Sequence, residues 1–157
     1  GWECPAWFAP EVVFPESDYS FYRPSCFNYV QEEQKTVTGS VGIIDYSLLQ
    51  KLLVSGRDAE NFLSRVCSND LAIPVNSVIY SLMLYERGVI ESDVMLAHHG
   101  PDSFMVISSI SQTNRDLNHL KRNIRPNKTI WLSDATSSYG VLPLAGPKAR
   151  DLSAGIT

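Results

Sequence analysis

Apolar and polar positions change rhythm along this chain: from residue 41 onward, short apolar runs of strand length alternate with stretches of helical period. The runs 41–45 and 49–54 read as buried strands, the second ending at the Ser55-Gly56 turn. Within 57–67, Ala59, Phe62, Leu63 and Val66 share one helical face, and Pro74 closes the loop that follows. The β-rich runs 77–85 and 89–97 are separated by Glu86-Arg87-Gly88, a three-residue connection ending in Gly, which predicts a hairpin. A strand at 104–108 leads into a helix at about 111–124, with Leu117, Leu120, Lys121 and Ile124 in register and Pro126 as its stop. Strands at 129–132 and 139–144 follow, and a last helix begins within 146–152. Strands joined by hairpins, with a helix after every second or third strand, predict an α+β fold: an antiparallel sheet with helices on one side.

Residues 1–40 follow neither rhythm. Pro5, Pro10, Pro15 and Pro24 interleave with Trp2, Trp7, Phe8, Phe14, Tyr19, Phe21 and Tyr22. Proline at that density denies long helices and central strands, and the aromatic rings need a surface to cover them. The expectation is an arm packed on another surface, with a first helix at 26–37, where Phe27, Val30 and Gln34 keep helical spacing before Gly39. The chain thus divides into 1–40, arm and first helix, and 41–157, part of a folded domain.

Composition narrows the function classes. A length of 157 residues with 44% hydrophobic and 19% charged residues suits a globular domain, or a large piece of one. The net charge of −4 leaves no positive excess to drive phosphate-backbone binding, so nucleic acid is disfavoured as a partner. No apolar run approaches the roughly 18–20 residues that cross a bilayer, so no membrane partner is expected. Gly1 in place of Met makes an excised segment or a processed product the expectation. Cys4, Cys26 and Cys67 are too widely spaced for a C-x-x-C motif and odd in number, which fits free thiols in a reducing compartment.

Chemistry concentrates in the hairpin. Glu91, Ser92 and Asp93 interrupt an apolar strand, and strict alternation puts Glu91 and Asp93 on one face with Ser92 on the other. Two carboxylates sharing a low-dielectric cavity could divide proton-handling roles, while a solvent-facing sheet edge is the plainer alternative. Tyr80 and Tyr85 flank Leu82-Met83-Leu84 on the partner strand, where a ring beside a carboxylate offers a stacking surface for a flat heterocycle, or simple cross-strand packing. His98 and His99 point to opposite faces if the strand continues, so they cannot share a metal; Gly100-Pro101 favours a surface loop there. No metal site is expected. Lys148 after Gly146-Pro147 lacks the rest of a phosphate loop, and Asn127-Lys128-Thr129 is a glycosylation pattern with meaning only in a secreted protein.

Six segments, in order, resemble one family: Val41-Gly-Ile-Ile-Asp-Tyr-Ser47, Val54-Ser-Gly-Arg-Asp-Ala59, Ser68-Asn-Asp-Leu71, Tyr80-Ser-Leu-Met-Leu84, Arg87-Gly-Val-Ile-Glu-Ser-Asp93 and Leu144-Ala-Gly-Pro-Lys-Ala149. Together they are similar to the first half of the folate-binding domain of aminomethyltransferase, the T-protein of the glycine cleavage system. The opening Gly1-Trp-Glu-Cys-Pro-Ala-Trp-Phe8 resembles the segment joining the flavin-dependent part to the folate part in dimethylglycine dehydrogenase, sarcosine dehydrogenase and the regulatory subunit of pyruvate dehydrogenase phosphatase.

The resemblance implies tetrahydrofolate as cofactor, FAD in a part preceding Gly1, a small methylated amine as substrate and a mitochondrial matrix location. The implied function is transfer of a one-carbon unit from the demethylated amine to tetrahydrofolate; the alternative is a non-catalytic regulator that binds a phosphatase catalytic subunit. Asp93 aligns with the family's essential aspartate, Tyr80 with a tyrosine of the folate pocket and Leu49 with a position beneath the ligand. Glu91 and Ser108 complete the implied cofactor-binding set. Ser108 stands where an Asn is frequent, Ser92 replaces the first Asp of an Asp-Asp pair, and Cys4 replaces the Arg of the joining segment. The resemblance places the pterin-recognising half of the fold beyond Thr157, so this segment alone is expected to bind folate weakly or not at all. The reading requires Asp93 to face a ligand-sized hollow beside the Tyr80 ring.

Overall fold

The computed structural model describes residues 5–10 and 21–155. In chain order the elements are α1 (Phe27–Gly39), β1 (Gly42–Ile43), β2 (Gln50–Ser55), α2 (Ala59–Val66), β3 (Val78–Leu84), β4 (Ile90–Gly100), β5 (Ser103–Ser108), α3 (Thr113–Asn123), β6 (Trp131–Asp134), β7 (Leu144–Ala145) and α4 (Ala149–Ala154), with single 3₁₀ turns at Ile110–Gln112 and Thr136–Ser138. They form two compact units, one of residues 47–141 and one of residues 1–46 with 142–157.

The unit of residues 47–141 is built on a five-stranded antiparallel sheet in the order β3-β4-β5-β2-β6. Register follows the apolar alternation: Leu52 opposes Val106, Val54 opposes Phe104, and Leu96 opposes Val106 from the other side. These side chains share one face with Met83 and Val94, and all are buried. Against that face pack Ala59, Phe62, Leu63 and Val66 of α2 and Leu120 of α3, in one continuous apolar cluster. Each large side chain so buried contributes about 1.5–3 kcal/mol from area removed from water. The α+β architecture, with an antiparallel sheet and helices on one side, is therefore the one the pattern predicts.

Gly56 fixes the corner between β2 and α2. Its φ of 119° lies where only Gly is unstrained, and a Cβ there would fall onto the Thr129 carbonyl and beside the Trp131 ring. Its N–H donates to the Asp102 carbonyl at 2.8 Å. Two residues on, the Asp58 carboxylate accepts from the Thr129 N–H at 2.8 Å and from Lys128 Nζ at 2.9 Å, tying the start of α2 to the approach to β6.

In the other unit, β1 and β7 make a two-stranded antiparallel ribbon pairing Gly42 with Ala145 and Ile43 with Leu144. This is shorter than the strands expected at 41–45 and 139–144. Pro143 has no N–H to extend the ladder, and its carbonyl accepts the last bond, from Ile44 N at 3.1 Å. Helix α1 has no buried residue. Trp7 of the expected arm stacks on Tyr29 at 5.7 Å, whereas Phe21 and Tyr22 are exposed. Trp2, Cys4, Phe14, Pro15 and Tyr19 lie outside the described residues.

One local expectation is corrected. His98 and His99 lie within β4, not in a surface loop, because the strand runs to Gly100. His98 is buried, stacked on Phe104 with ring centroids 4.3 Å apart and bonded through Nδ1 to the Ile73 carbonyl at 2.7 Å. Cys26 and Cys67 are free thiols, and burial pushes the Cys67 thiol up to about 12.

Gly56→Ala is expected to destabilise the full chain by about 2 kcal/mol or more, because both the backbone conformation and the space forbid a Cβ. Urea unfolding measures it; an unchanged midpoint would contradict the corner's role.

Candidate functional site

The β3–β4 hairpin closes through the Tyr85 N–H to the Val89 carbonyl at 2.9 Å, with Gly88 at φ 75° in the connection. Next to this turn the ladder slips: Met83 opposes Ser92, but Leu84 opposes Ile90, leaving Glu91 as the extra residue of a β-bulge. The slip overturns the alternation expected for Glu91, Ser92 and Asp93. Glu91 and Ser92 are both buried toward α3, and Asp93 stands alone on the opposite face.

That opposite face is the open side of the sheet at β3 and β4. Val78, Tyr80 and Met95 are exposed on it, Tyr80 at 63%. The Tyr80 hydroxyl donates to Asp93 Oδ2 at 3.4 Å, a long and therefore weak bond that still holds ring and carboxylate together. Partial desolvation, and after it the neighbouring Asp93 charge, raises the Tyr80 pKa, so its hydroxyl keeps its proton near neutrality. Leu49, half-buried, lies one residue before β2. Extending the registers from Gln50–Ser108 and Met95–Ile107 puts Leu49 and Asp93 level with Ser109, two strands apart, or about 9–10 Å. Tyr80 and Asp93 are thus in contact, while Leu49 lies two strands away from Asp93. Neither the cavity between the β3–β4 turn and α3 nor the one lined by Asp58, Phe62 and Arg65 includes any of the three, so the hollow that the resemblance requires is not one of these two.

Ser108 and Glu91 belong to the other face. Ser108 is buried, with its Oγ 2.6 Å from Asp116 Oδ2 and 2.9 Å from Gln50 Oε1. One hydroxyl hydrogen cannot serve both acceptors. The hydroxyl donates to Asp116 Oδ2, the shorter contact, and is freed for Gln50 when Asp116 carries a proton. Burial pushes the Asp116 pKa up in the same direction, against the lowering effect of its bonds to Ser108 and Ser92. Ser92 Oγ lies 3.3 Å from the same Asp116 oxygen. Beside this group, Glu91 is gripped by Arg115 through Nε at 2.6 Å and Nη2 at 3.0 Å. The Arg115 guanidinium holds the Glu91 carboxyl below its ordinary range.

Sequence reasoning missed Gln50, Arg115 and Asp116. The available signal was parity and helical spacing: Gln50 keeps step with the buried Leu52 and Val54, Ser108 with Phe104 and Val106, and Asp116 lies four residues before Leu120.

The family model described as GCVT N-terminal domain matches residues 1–157, and the chain belongs to that family. It is 30% identical over 152 residues to 4-methylaminobutanoate oxidase (formaldehyde-forming) of Paenarthrobacter nicotinovorans, covering 97% of this chain and 18% of that protein. It is 31% identical over 157 residues to the mitochondrial pyruvate dehydrogenase phosphatase regulatory subunit of Mus musculus, covering 97% of this chain and 18% of that one. Against mitochondrial dimethylglycine dehydrogenase of Rattus norvegicus it is 32% identical over 152 residues, 96% of this chain and 18% of the relative. The chain thus spans about a fifth of each of these proteins. Among solved structures, the glycine cleavage system aminomethyltransferase T from Bartonella henselae superposes with a TM-score of 0.67 at 23% identity, over 81% of this chain and 35% of that one, a likeness of fold.

The two acids under the sheet act on stability with opposite sign. Asp116 holds its proton more tightly folded than unfolded, so its contribution is fully present below the ordinary carboxylate value near 4 and is lost as pH rises through its raised value. Glu91 contributes above that ordinary value, and the contribution is lost as pH falls through its lowered one. Asp116→Asn, which keeps the shape without the charge, is expected to gain stability relative to the parent as pH goes from about 4 to 7. Urea unfolding of the full chain across that range measures it; a gap independent of pH would contradict the buried-acid assignment.

Proposed function

We propose that the chain is the folate-side portion of a flavin-dependent dimethylglycine or sarcosine dehydrogenase-like protein, in which a one-carbon unit passes from a demethylated amine to tetrahydrofolate. The observation that carries this reading is the Tyr80–Asp93 pair on an open sheet face, at the two positions that the family resemblance assigns to the folate pocket. The donor set fits such a ligand. A flat heterocycle needs an exposed ring to lie against, and Tyr80 offers one with Met95 opposite it in the ladder. A weakly basic amine needs a fixed acceptor, and Asp93 supplies a carboxylate with one oxygen outside the Tyr80 bond.

Tetrahydrofolate, when bound, supplies the amine that takes up the one-carbon unit. Asp93 orients that amine, and its carboxylate accepts or relays the proton released as the new C–N bond forms. Tyr80 positions Asp93 through its hydroxyl and presents its ring for stacking. Leu49 forms the apolar floor. Ser108 and Glu91 act from behind the sheet in this reading, by fixing the strands that carry Asp93 rather than by touching folate. The second wall of the site, the pterin-recognising groups and the FAD that oxidises the amine belong to parts of the whole protein outside this chain. The body expected at 41–157 is, on the same reading, the N-terminal half of the folate-binding domain, and a mitochondrial matrix location goes with it, supported by two relatives named as mitochondrial.

The regulatory relative supports a second reading, a non-catalytic partner of a phosphatase catalytic subunit. Titration of the full-length protein with tetrahydrofolate separates the two. The enzyme reading expects saturable binding, a one-carbon transfer rate about 10²-fold lower in Asp93→Asn, and binding about tenfold weaker in Tyr80→Ala. Absence of binding together with a stable complex with the phosphatase subunit would overturn it in favour of the second.

A further inference from the structure

Away from the Tyr80–Asp93 face, a cavity of about 690 Å³ opens between the β3–β4 turn and α3. This is within the size range of small-molecule sites, about 300–1,000 Å³. Three guanidinium groups line it, from Arg87, Arg115 and Arg122, against two carboxylates, Glu86 and Glu91. Arg115 and Glu91 neutralise each other through their two-point contact. Among the described residues, neither Arg87 nor Arg122 has a carboxylate within ion-pair distance. A chain with a net charge of −4 therefore carries a local surplus of one positive charge in a concave site.

The walls say what else a ligand must bring. Leu84 and Val89 are apolar, and the Tyr85 ring meets His119 edge-on at 5.1 Å. His119 is 7% exposed, and its buried Nε2 has no hydrogen-bond partner among the described protein groups. Asn118 and Asn123 also line the cavity, the Asn123 amide donating to the His119 carbonyl at 2.9 Å.

We propose that this cavity binds a small organic monocarboxylate with a flat apolar body. One carboxylate balances the single surplus charge, and the planar guanidinium of Arg122, exposed and uncommitted, matches a carboxylate with two parallel hydrogen bonds. The apolar body lies against Leu84, Val89 and the Tyr85 ring. A phosphate dianion would overcompensate the charge and leave those walls unused. Arg115 is a positioning residue: locked to Glu91, it holds α3 at the fixed distance from the hairpin that keeps the cavity open.

Isothermal titration of the full chain with benzoate tests this, with inorganic phosphate as the comparison. Benzoate is expected to saturate with a Kd on the order of 1 mM and phosphate to bind at least about tenfold more weakly. Arg122→Gln, an exposed change that leaves the core intact, is expected to weaken benzoate at least about fivefold, while Asp93→Asn leaves it unchanged. No saturation by benzoate, phosphate binding as tightly as benzoate, or an Arg122→Gln variant with parent affinity would each overturn the proposal.

Discussion

Between Met83 and Leu84 the β3–β4 ladder slips by one residue, and the extra residue on β4 is Glu91. A one-residue slip in a structure of period two sends every following side chain to the other face. Here it separates two carboxylates that regular pairing would set side by side. Glu91 turns toward α3 and is gripped by Arg115, while Asp93, beyond the slip, stands on the open face beside Tyr80. Had both acids shared one face, their repulsion would have raised one pKa and made a proton-sharing pair. The bulge instead gives each acid a single environment: one neutralised inside the structure, one available at the surface.

Support for Asp93 comes through the sheet rather than from direct contacts. Ser92, its neighbour on β4, lies near Asp116, which is bonded to Ser108 on β5, and Ser108 reaches Gln50 on β2. Three strands and α3 are thus tied together at the level of Asp93 by a polar chain under the sheet. Such a network is costly where any member is unsatisfied, and Asp116 Oδ1 is an unpartnered buried oxygen. Protonation of Asp116, the direction in which burial shifts it, lowers that cost, because a neutral acid is desolvated far more cheaply than a carboxylate.

Most of the sheet was legible from residue type. Alternation at Leu52 and Val54, and at Phe104 and Val106, fixes both the strands and their buried face; the spacing of Ala59, Phe62, Leu63 and Val66 fixes α2 and the face it buries. The hairpin followed from Glu86-Arg87-Gly88. What the sequence hides is where regular periods break. A bulge leaves no mark in residue type, since Glu91 fits a regular strand as readily as a slipped one, and so the pairing of Glu91 with Asp93 was misjudged. His98 was misjudged as loop because Gly100 and Pro101 suggest a break, whereas Gly100 is still paired with Ser103. The candidate site was legible only in part. Tyr80 and Asp93 are joined by a long hydrogen bond on the open face, but Ser108 lies behind the sheet, since a serine among apolar alternates gives no sign of which polar group will meet it.

The central claim is that the open face bearing Tyr80 and Asp93 is one wall of a folate site completed by the rest of the protein. A crystal structure of the full-length protein with tetrahydrofolate bound tests it most directly, through the distance from the Asp93 carboxylate to the nearest ligand nitrogen. The account expects that distance within hydrogen-bond reach, about 2.6–3.2 Å, with the Tyr80 ring against the ligand. Folate bound elsewhere, with Asp93 left in open solvent, would contradict it.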